Sequence, residues 1–335
     1  MKTTRDWPHG MQGRLHQSKK NIRRFVKDNS VDVLTITETH QTSDKRPPGA
    51  NGLQWFGRPT QSSARGGVGI LIRSELIHNT KVTTFNGDAP DSFHLAVQPH
   101  NSRTTLISVV YGKTGLTEAE AEAQWGSYSR DLRRIRRKIG DFDHIFTGDI
   151  NGRMGKPQNP VEEAHLGLYG ESTRNPSGKR AVQFLIDEDL VCLNGRNPET
   201  AVEYTYQSTS AGREHYASVI DIIAISRGMY RREYRASVCP DTIALTQDHY
   251  AVLTDLRLNR SKIKKRLVPF KSVWNAHLLA NNPENSQKFQ DAFKRHLNRC
   301  LQGMKPQQTA RDASESLSLK GIVLRRLLTS RSGDL

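Results

Sequence analysis

Four carboxylates in this 335-residue chain stand where such groups can do chemistry, at the ends of apolar runs or inside them. Glu38 closes "VDVLTITETH", Asp149 and Asn151 follow "HIFT" in "FTGDINGRMG", Asp221 interrupts "SVIDIIAIS", and Asp248-His249 immediately precede "YAVL". Taken alone, each has a plain structural reading: a solvated strand end, a turn, a partner for a basic side chain, a polar strand entrance. Asp221 fits its plain reading least, because a carboxylate among Val, Ile and Ile is expected to be buried, and a buried charge without a partner is costly. His249 is the natural partner, since an imidazole held by a buried carboxylate keeps one tautomer and tolerates becoming imidazolium.

Hydrolysis of a phosphodiester gives these residue types a common purpose. It requires neutralising charge on the non-bridging oxygens, orienting a water and stabilising the leaving oxygen. Glu38 and Asp248 are hard oxygen ligands suited to Mg²⁺, which binds through one or two carboxylates and keeps several waters. Asp149 would orient the water, Asn151 would donate to the phosphate, and His249 backed by Asp221 would stabilise the pentacovalent state.

The elements that must position these residues are legible from periodicity. Ile22, Phe25 and Val26 define a helix over about 18–29, ahead of the strand "VDVLTIT". "GGVGILIR" (66–73), "SFHLAVQ" (92–98) and "TTLISVVY" (104–111) read as strands. A long helix starts at Thr117, with Glu120 completing a capping box, and runs to Gly140, where "HIFTGD" follows. A second helix over 177–189 opens on Ser177 as N-cap, and "LVCLN", "EYTYQ", "SVIDIIAIS" and "YAVLTDLRL" supply further strands. Strands outnumber helices, so the expected fold is α/β: two packed sheets with helices outside. After residue 258 the composition shifts to a basic linker and a helical tail over 259–335, and residues 1–258 form the expected catalytic domain.

Bulk composition narrows the partners. Lys and Arg outnumber Asp and Glu by 50 to 34, a formal net charge of +16, which favours a polyanion such as nucleic acid or an anionic membrane face. The run "RDLRRIRRKIG" (130–140) is either a nucleic-acid contact or a solvated helix face with Leu132, Ile135 and Ile139 turned inward. Three widely spaced cysteines form neither a disulfide framework nor a zinc spacing. The amino terminus lacks an apolar leader core and no apolar run is long enough to cross a bilayer, so the expected setting is intracellular.

"TITETH", "TGDIN", "SVIDIIAIS" and "QDHYAV", in that order between residues 35 and 252, resemble the four signature blocks of the endonuclease/exonuclease/phosphatase superfamily. Within it, the compact "ETH" block, "TGDING" and the "TYQSTSAG" to "SVID" segment are similar to the endonuclease domains of non-LTR retrotransposons. The resemblance implies a four-layer α/β sandwich of two mixed sheets flanked by helices. It also implies a Mg²⁺-dependent hydrolase, with Mn²⁺ as an alternative ion, that nicks DNA and acts in the nucleus. Glu38 would be the principal metal carboxylate, helped by Asp248; Asp149 would position the water; Asn151 and Tyr111 would contact phosphate; Asp221 would pair with His249.

Two departures from the family pattern stand out. Members open on a strand ending in asparagine, whereas "DWPHGMQGRLHQ" has none before Asn21, so the first strand is expected to be truncated and to leave an unpaired sheet edge. Gln247 replaces the usual serine before the Asp-His pair. Two further functions therefore stay open beside the endonuclease: a phosphatase of the same superfamily, and a catalytically inactive nucleic-acid-binding remnant.

Overall fold

The computed structural model describes residues 22, 24–40, 52–60, 66–89, 91–197, 202–208, 216–239, 248–256 and 323–324. The chain divides into two compact units, Met1–Asn259 with Ser316–Thr329, and Arg260–Glu315 with Ser330–Leu335. Every described residue belongs to the first unit. The expected linker and helical tail lie outside the described residues, apart from 323–324.

The described elements begin with helix α1 (24–28), strands β1 (Val33–Ile36), β2 (Leu53–Arg58) and β3 (Val68–Arg73), and the short α2 (Ser74–Ile77). Strands β4 (Thr80–Asn86), β5 (Ser92–Pro99) and β6 (Thr104–Tyr111), helix α3 (Glu118–Ile139) and β7 (Phe142–Asp149) follow. Then come α4 (Pro160–His165), α5 (Pro176–Asp187), β8 (Leu190–Cys192), β9 (Tyr206–Gln207), β10 (Ala217–Ser218) and β11 (Asp221–Ser226). The last are β12 (Ala236–Cys239), β13 (Ala251–Thr254) and β14 (Val323–Leu324).

Two six-stranded sheets, ordered β12-β13-β14-β1-β3-β2 and β4-β5-β6-β7-β11-β8, form the middle of the unit, and β9 and β10 make a separate ribbon. Val33, Val68, Ile70 and Ile72 of the first sheet share one core with Phe93, Leu95, Val109, Ile145 and Ile223 of the second. The far face of the second sheet, with Leu106, Val110 and Phe146, packs on Trp125, Tyr128 and Leu132 of α3 and Phe184 and Leu185 of α5. Leu34, Leu53 and Leu71 on the far face of the first sheet pack on Phe25 of α1. The four-layer α/β sandwich is thereby present. Because the central strands are buried on both faces, they read as nearly continuous apolar runs, which is why β3, β6 and β7 were legible.

Local chemistry sets the helix ends. Thr117 accepts from the Glu120 N–H while Glu120 accepts from the Thr117 N–H, the capping box expected for α3. For α5 the expected Ser177 cap is wrong: Asn175 is the N-cap, its side chain accepting from the Gly178 N–H at 2.8 Å, with Pro176 in the first helical turn. An Asn-Pro step suits that position better, since proline's fixed φ and missing N–H belong in a first turn. Ser177 instead accepts from the Trp125 indole N–H at 3.3 Å.

Other differences from expectation lie at sheet margins. Strands β2, β4 and β12 went unread because each is an edge strand of its sheet and carries polar residues at half-exposed positions. "SVIDIIAIS" splits into β10 and β11 because Val219 and Ile220 turn their N–H groups to Glu171 and Thr205 and leave the ladder. Residues 1–21 lie outside the described residues. The expected truncated first strand, and the edge it would leave, lie with them; among the described residues β14 pairs antiparallel with β1 and parallel with β13.

Candidate active site

The site begins as a row across three strands. In the parallel β6–β7 pair Tyr111 is the register partner of Asp149, and in the antiparallel β7–β11 pair Asp149 is the partner of Asp221. Partners in register project to the same face, so the three side chains share one end of the second sheet. Gly148 makes the close approach possible: a Cβ there would lie 1.9 Å from the Val110 carbonyl oxygen, and its φ is +143°. Below the row, the buried Thr147 hydroxyl donates to the Ser108 carbonyl at 3.0 Å and meets the Thr35 hydroxyl of the other sheet at 3.0 Å, which links the sheets two residues before Asp149.

The first sheet delivers Glu38 just past β1, where the Tyr111 hydroxyl donates to its Oε1. Glu38 has φ +51° and Asn151 has φ +48°. Asparagine enters that region readily, but a glutamate there is held against its preference, a form of strain that concentrates at functional sites. Asn151 is tied down by its own N–H donating to Asp149 Oδ1 at 2.9 Å and by Nδ2 donating to the Gly112 carbonyl at 2.9 Å.

His249 comes from the chain segment before β13. Its Nδ1 donates to Asp221 Oδ2 at 2.9 Å, and its Nε2 lies 4.0 Å from Asp149 Oδ2. Asp149 and Asp221 are 4% and 3% exposed, so this is a pair of carboxylates almost out of water. Burial first, and the facing Asp221 charge second, push Asp149 well above the usual carboxylate range against the opposing pull of His249. Burial draws His249 down, but the hydrogen bond and charge of Asp221, with the charges of Asp149 and Asp248, outweigh it and raise the imidazole to about 9. At neutral pH the histidine is an imidazolium between two acids.

Asp149, Asp221 and His249 each offer a ligand atom within 4.8 Å of the others, the one group among the described residues able to hold a metal ion. The imidazolium form of His249 has no free lone pair for a metal, so at neutral pH the donors offered to a divalent cation are the carboxylate oxygens of Asp149 and Asp221, hard ligands of the kind such an ion takes. The donor set therefore fits such an ion. Glu38 and Asp248 lie outside this trio: Glu38 meets Tyr111 and adds its charge to Asp149, while Asp248 adds its charge to His249.

Two residues that hold Asp221 carry no signal as a motif. Asn194, at the end of "LVCLN", donates to the Asp221 carbonyl at 3.0 Å and accepts from the Ile223 N–H at 3.0 Å. Thr205, fully buried, accepts from the N–H groups of both Ile220 and Asp221. Three of the arginines in the basic run on α3 are ion-paired within the chain. Arg130 and Arg134 pair with Asp88, Arg134 also with Asp131, and Arg136 with Glu188.

Residues 11–241 match the family model described as Endonuclease/Exonuclease/phosphatase family. Among solved structures, the chain resembles a 3′-5′ exonuclease (NExo) from Neisseria meningitidis, with 18% identity and a TM-score of 0.53 over 72% of this chain and 95% of that one. It resembles a 3′ phosphatase NExo from Neisseria bound to product DNA hairpin to the same degree, with 18% identity, a TM-score of 0.54 and coverage of 73% and 96%. An AP endonuclease from Archaeoglobus fulgidus follows at 16% identity, TM-score 0.51, over 74% and 96%. At these identities the likeness is one of fold. A comparison with curated protein sequences found no match.

Proposed function

Because the chain belongs to the endonuclease/exonuclease/phosphatase family, we propose that it is a divalent-metal-dependent endonuclease that nicks DNA, of the kind carried by non-LTR retrotransposons and acting in the nucleus. The observation that carries the reading is the row of Tyr111, Asp149 and Asp221 with His249 closing on both acids. The net charge of +16 favours a polyanion over a small phosphate ester, since each neutralised backbone phosphate adds salt-dependent affinity.

Each residue then has a task. Asp149, its carboxyl raised above the usual carboxylate range by burial and by Asp221, orients the attacking water and accepts its proton. The oxygen of that water bonds to phosphorus as the bond to the leaving sugar oxygen breaks. The His249 imidazolium, kept charged by Asp221, faces the negative charge that builds on the phosphate. Asn151 and Tyr111 would contact the phosphate, and Glu38 and Asp248 would help hold the divalent ion. A divalent ion, Mg²⁺ or in its place Mn²⁺, would neutralise the phosphate oxygens.

The neighbour named as a 3′ phosphatase bound to a DNA hairpin supports a second reading, removal of a terminal phosphate from DNA. Supercoiled plasmid incubated with Mg²⁺ or with EDTA, beside Asp149→Ala, tests the first. Metal-dependent nicking lost in the variant is expected. Phosphate release from a 3′-phosphorylated oligonucleotide without plasmid nicking would favour the second reading. DNA retention without either activity would leave an inactive nucleic-acid-binding remnant.

A further inference from the structure

We propose that Thr205, with the two residues after it, is a positioning element that sets the distance between Asp221 and His249; the inference rests on the reading of that pair as catalytic. The pair comes from chain segments 28 residues apart, and their side chains meet at 2.9 Å. The three residues 205–207 bridge the two segments.

On one side, the Thr205 hydroxyl oxygen accepts from the Ile220 N–H and from the Asp221 N–H, both at 3.0 Å, and the Thr205 N–H donates to the Ser218 carbonyl at 3.0 Å. On the other side, the Thr205 carbonyl accepts from the Tyr250 N–H at 2.8 Å, and the Gln207 N–H donates to the Asp248 carbonyl at 2.8 Å. Between them Tyr206 forms a β-bridge to His249, and its ring stands edge-on to the imidazole at 5.0 Å. His249 is therefore held by backbone on both flanks and by a ring on one face.

The geometry answers a specific need. Asp221 sits where β10 has ended and β11 begins, so the N–H groups of Ile220 and Asp221 have left one ladder and need another acceptor inside a buried region. A single hydroxyl supplies it for both. Valine has the shape of threonine but no acceptor, and serine keeps the acceptor while losing a methyl group.

Thr205→Val and Thr205→Ser test this in the full-length chain. In Thr205→Val, kcat for nicking is expected to fall ten- to a hundredfold with KM within twofold, and the Tyr206–His249 ring-to-ring NOE is expected to vanish. Thr205→Ser is expected to restore both. Should the valine variant fail to fold, Tyr206→Ala takes its place, with an expected five- to tenfold loss in kcat at unchanged melting temperature. Wild-type kcat and an intact NOE in Thr205→Val, or wild-type kcat in Tyr206→Ala, would overturn the proposal. The NOE reads the pair without turnover, so a parent chain that fails to nick would count against the endonuclease while the positioning role is still decided.

Discussion

Asp149 and Asp221 are direct cross-strand partners in an antiparallel ladder, two buried acids facing each other with His249 against both. Like charges directly opposite destabilise a sheet, and almost complete burial strengthens that repulsion. A register of this kind calls for a cation between the acids or a more tightly held proton on one of them; the imidazolium of His249 supplies the first, and the raised carboxyl of Asp149 answers the second.

That arrangement makes the acids and the histidine one unit. Asp149→Ala and His249→Ala are each expected to lower nicking by about two to four orders of magnitude. The double variant should be scarcely worse than either single one, because residues that act together are not additive. Single-turnover nicking rates for the three variants, alongside filter-binding affinity for DNA that stays within a few-fold of wild type, check both statements.

His249 also makes stability depend on pH. Below its ordinary value of 6.5 the imidazole is charged in both folded and unfolded chains, and the stabilisation from Asp221 is complete. Between 6.5 and about 9 the unfolded histidine loses its proton while the folded one keeps it, so stability falls, and above about 9 the contribution is gone. Asp149, also raised, works in the same direction. Urea melts from pH 6 to 10 should show a loss of up to ~3 kcal/mol, and His249→Ala should flatten that slope.

His144 predicts the opposite limb. It is buried, its Nε2 shares the Ser108 hydroxyl at 2.8 Å, and burial, with the charges of His94 and Arg136, holds it well below 6.5. Stability is complete above 6.5 and is lost as pH falls below it, since the unfolded imidazole takes a proton that the folded one refuses. Denaturation between pH 7 and 5 should show this decline, and His144→Gln, which keeps a partner for Ser108 without titrating in that range, should reduce it.

The loop after Asn151 is anchored by an ion pair. Arg153 Nε donates to Glu171 Oε2 at 2.6 Å, while Glu171 Oε1 accepts from the Val219 N–H at 3.0 Å, two residues before Asp221. Glu171→Ala leaves the half-buried guanidinium without its anion and the Val219 N–H without its acceptor and is expected to cost about 1.5–3 kcal/mol, and Glu171→Gln, which can still accept from Val219, distinctly less. Chemical denaturation of the two variants separates the charge from the hydrogen bond; equal losses would show that the charge contributes nothing.

Much of the fold was readable because its central strands are buried on both faces and its long helix carries a capping box, both of which are local signals. The residue types of the site were readable for the same reason: an aspartate inside "SVIDIIAIS" or at the end of "HIFTGD" breaks a pattern that burial imposes. Asn194 and Thr205 could not be found that way, since an asparagine ending a strand and a threonine between two tyrosines are ordinary, and their roles lie in which backbone they reach. The same holds for Ser177, which looked like a cap until Asn175 and Pro176 were seen to fill that place.

The sequence by itself determined the composition of the site, the order of the strands that deliver it and the positive charge that favours a polyanion, because each of these is carried by residue type and local periodicity. The tertiary structure decided that Tyr111, Asp149 and Asp221 stand in one row, that His249 touches both acids while Glu38 meets Tyr111, and that three of the arginines on α3 are ion-paired within the chain. Register and contact between distant segments are properties of packing. A one-residue slip of β11 against β7 would turn Asp221 to the opposite face with almost no change in the pattern of its strand.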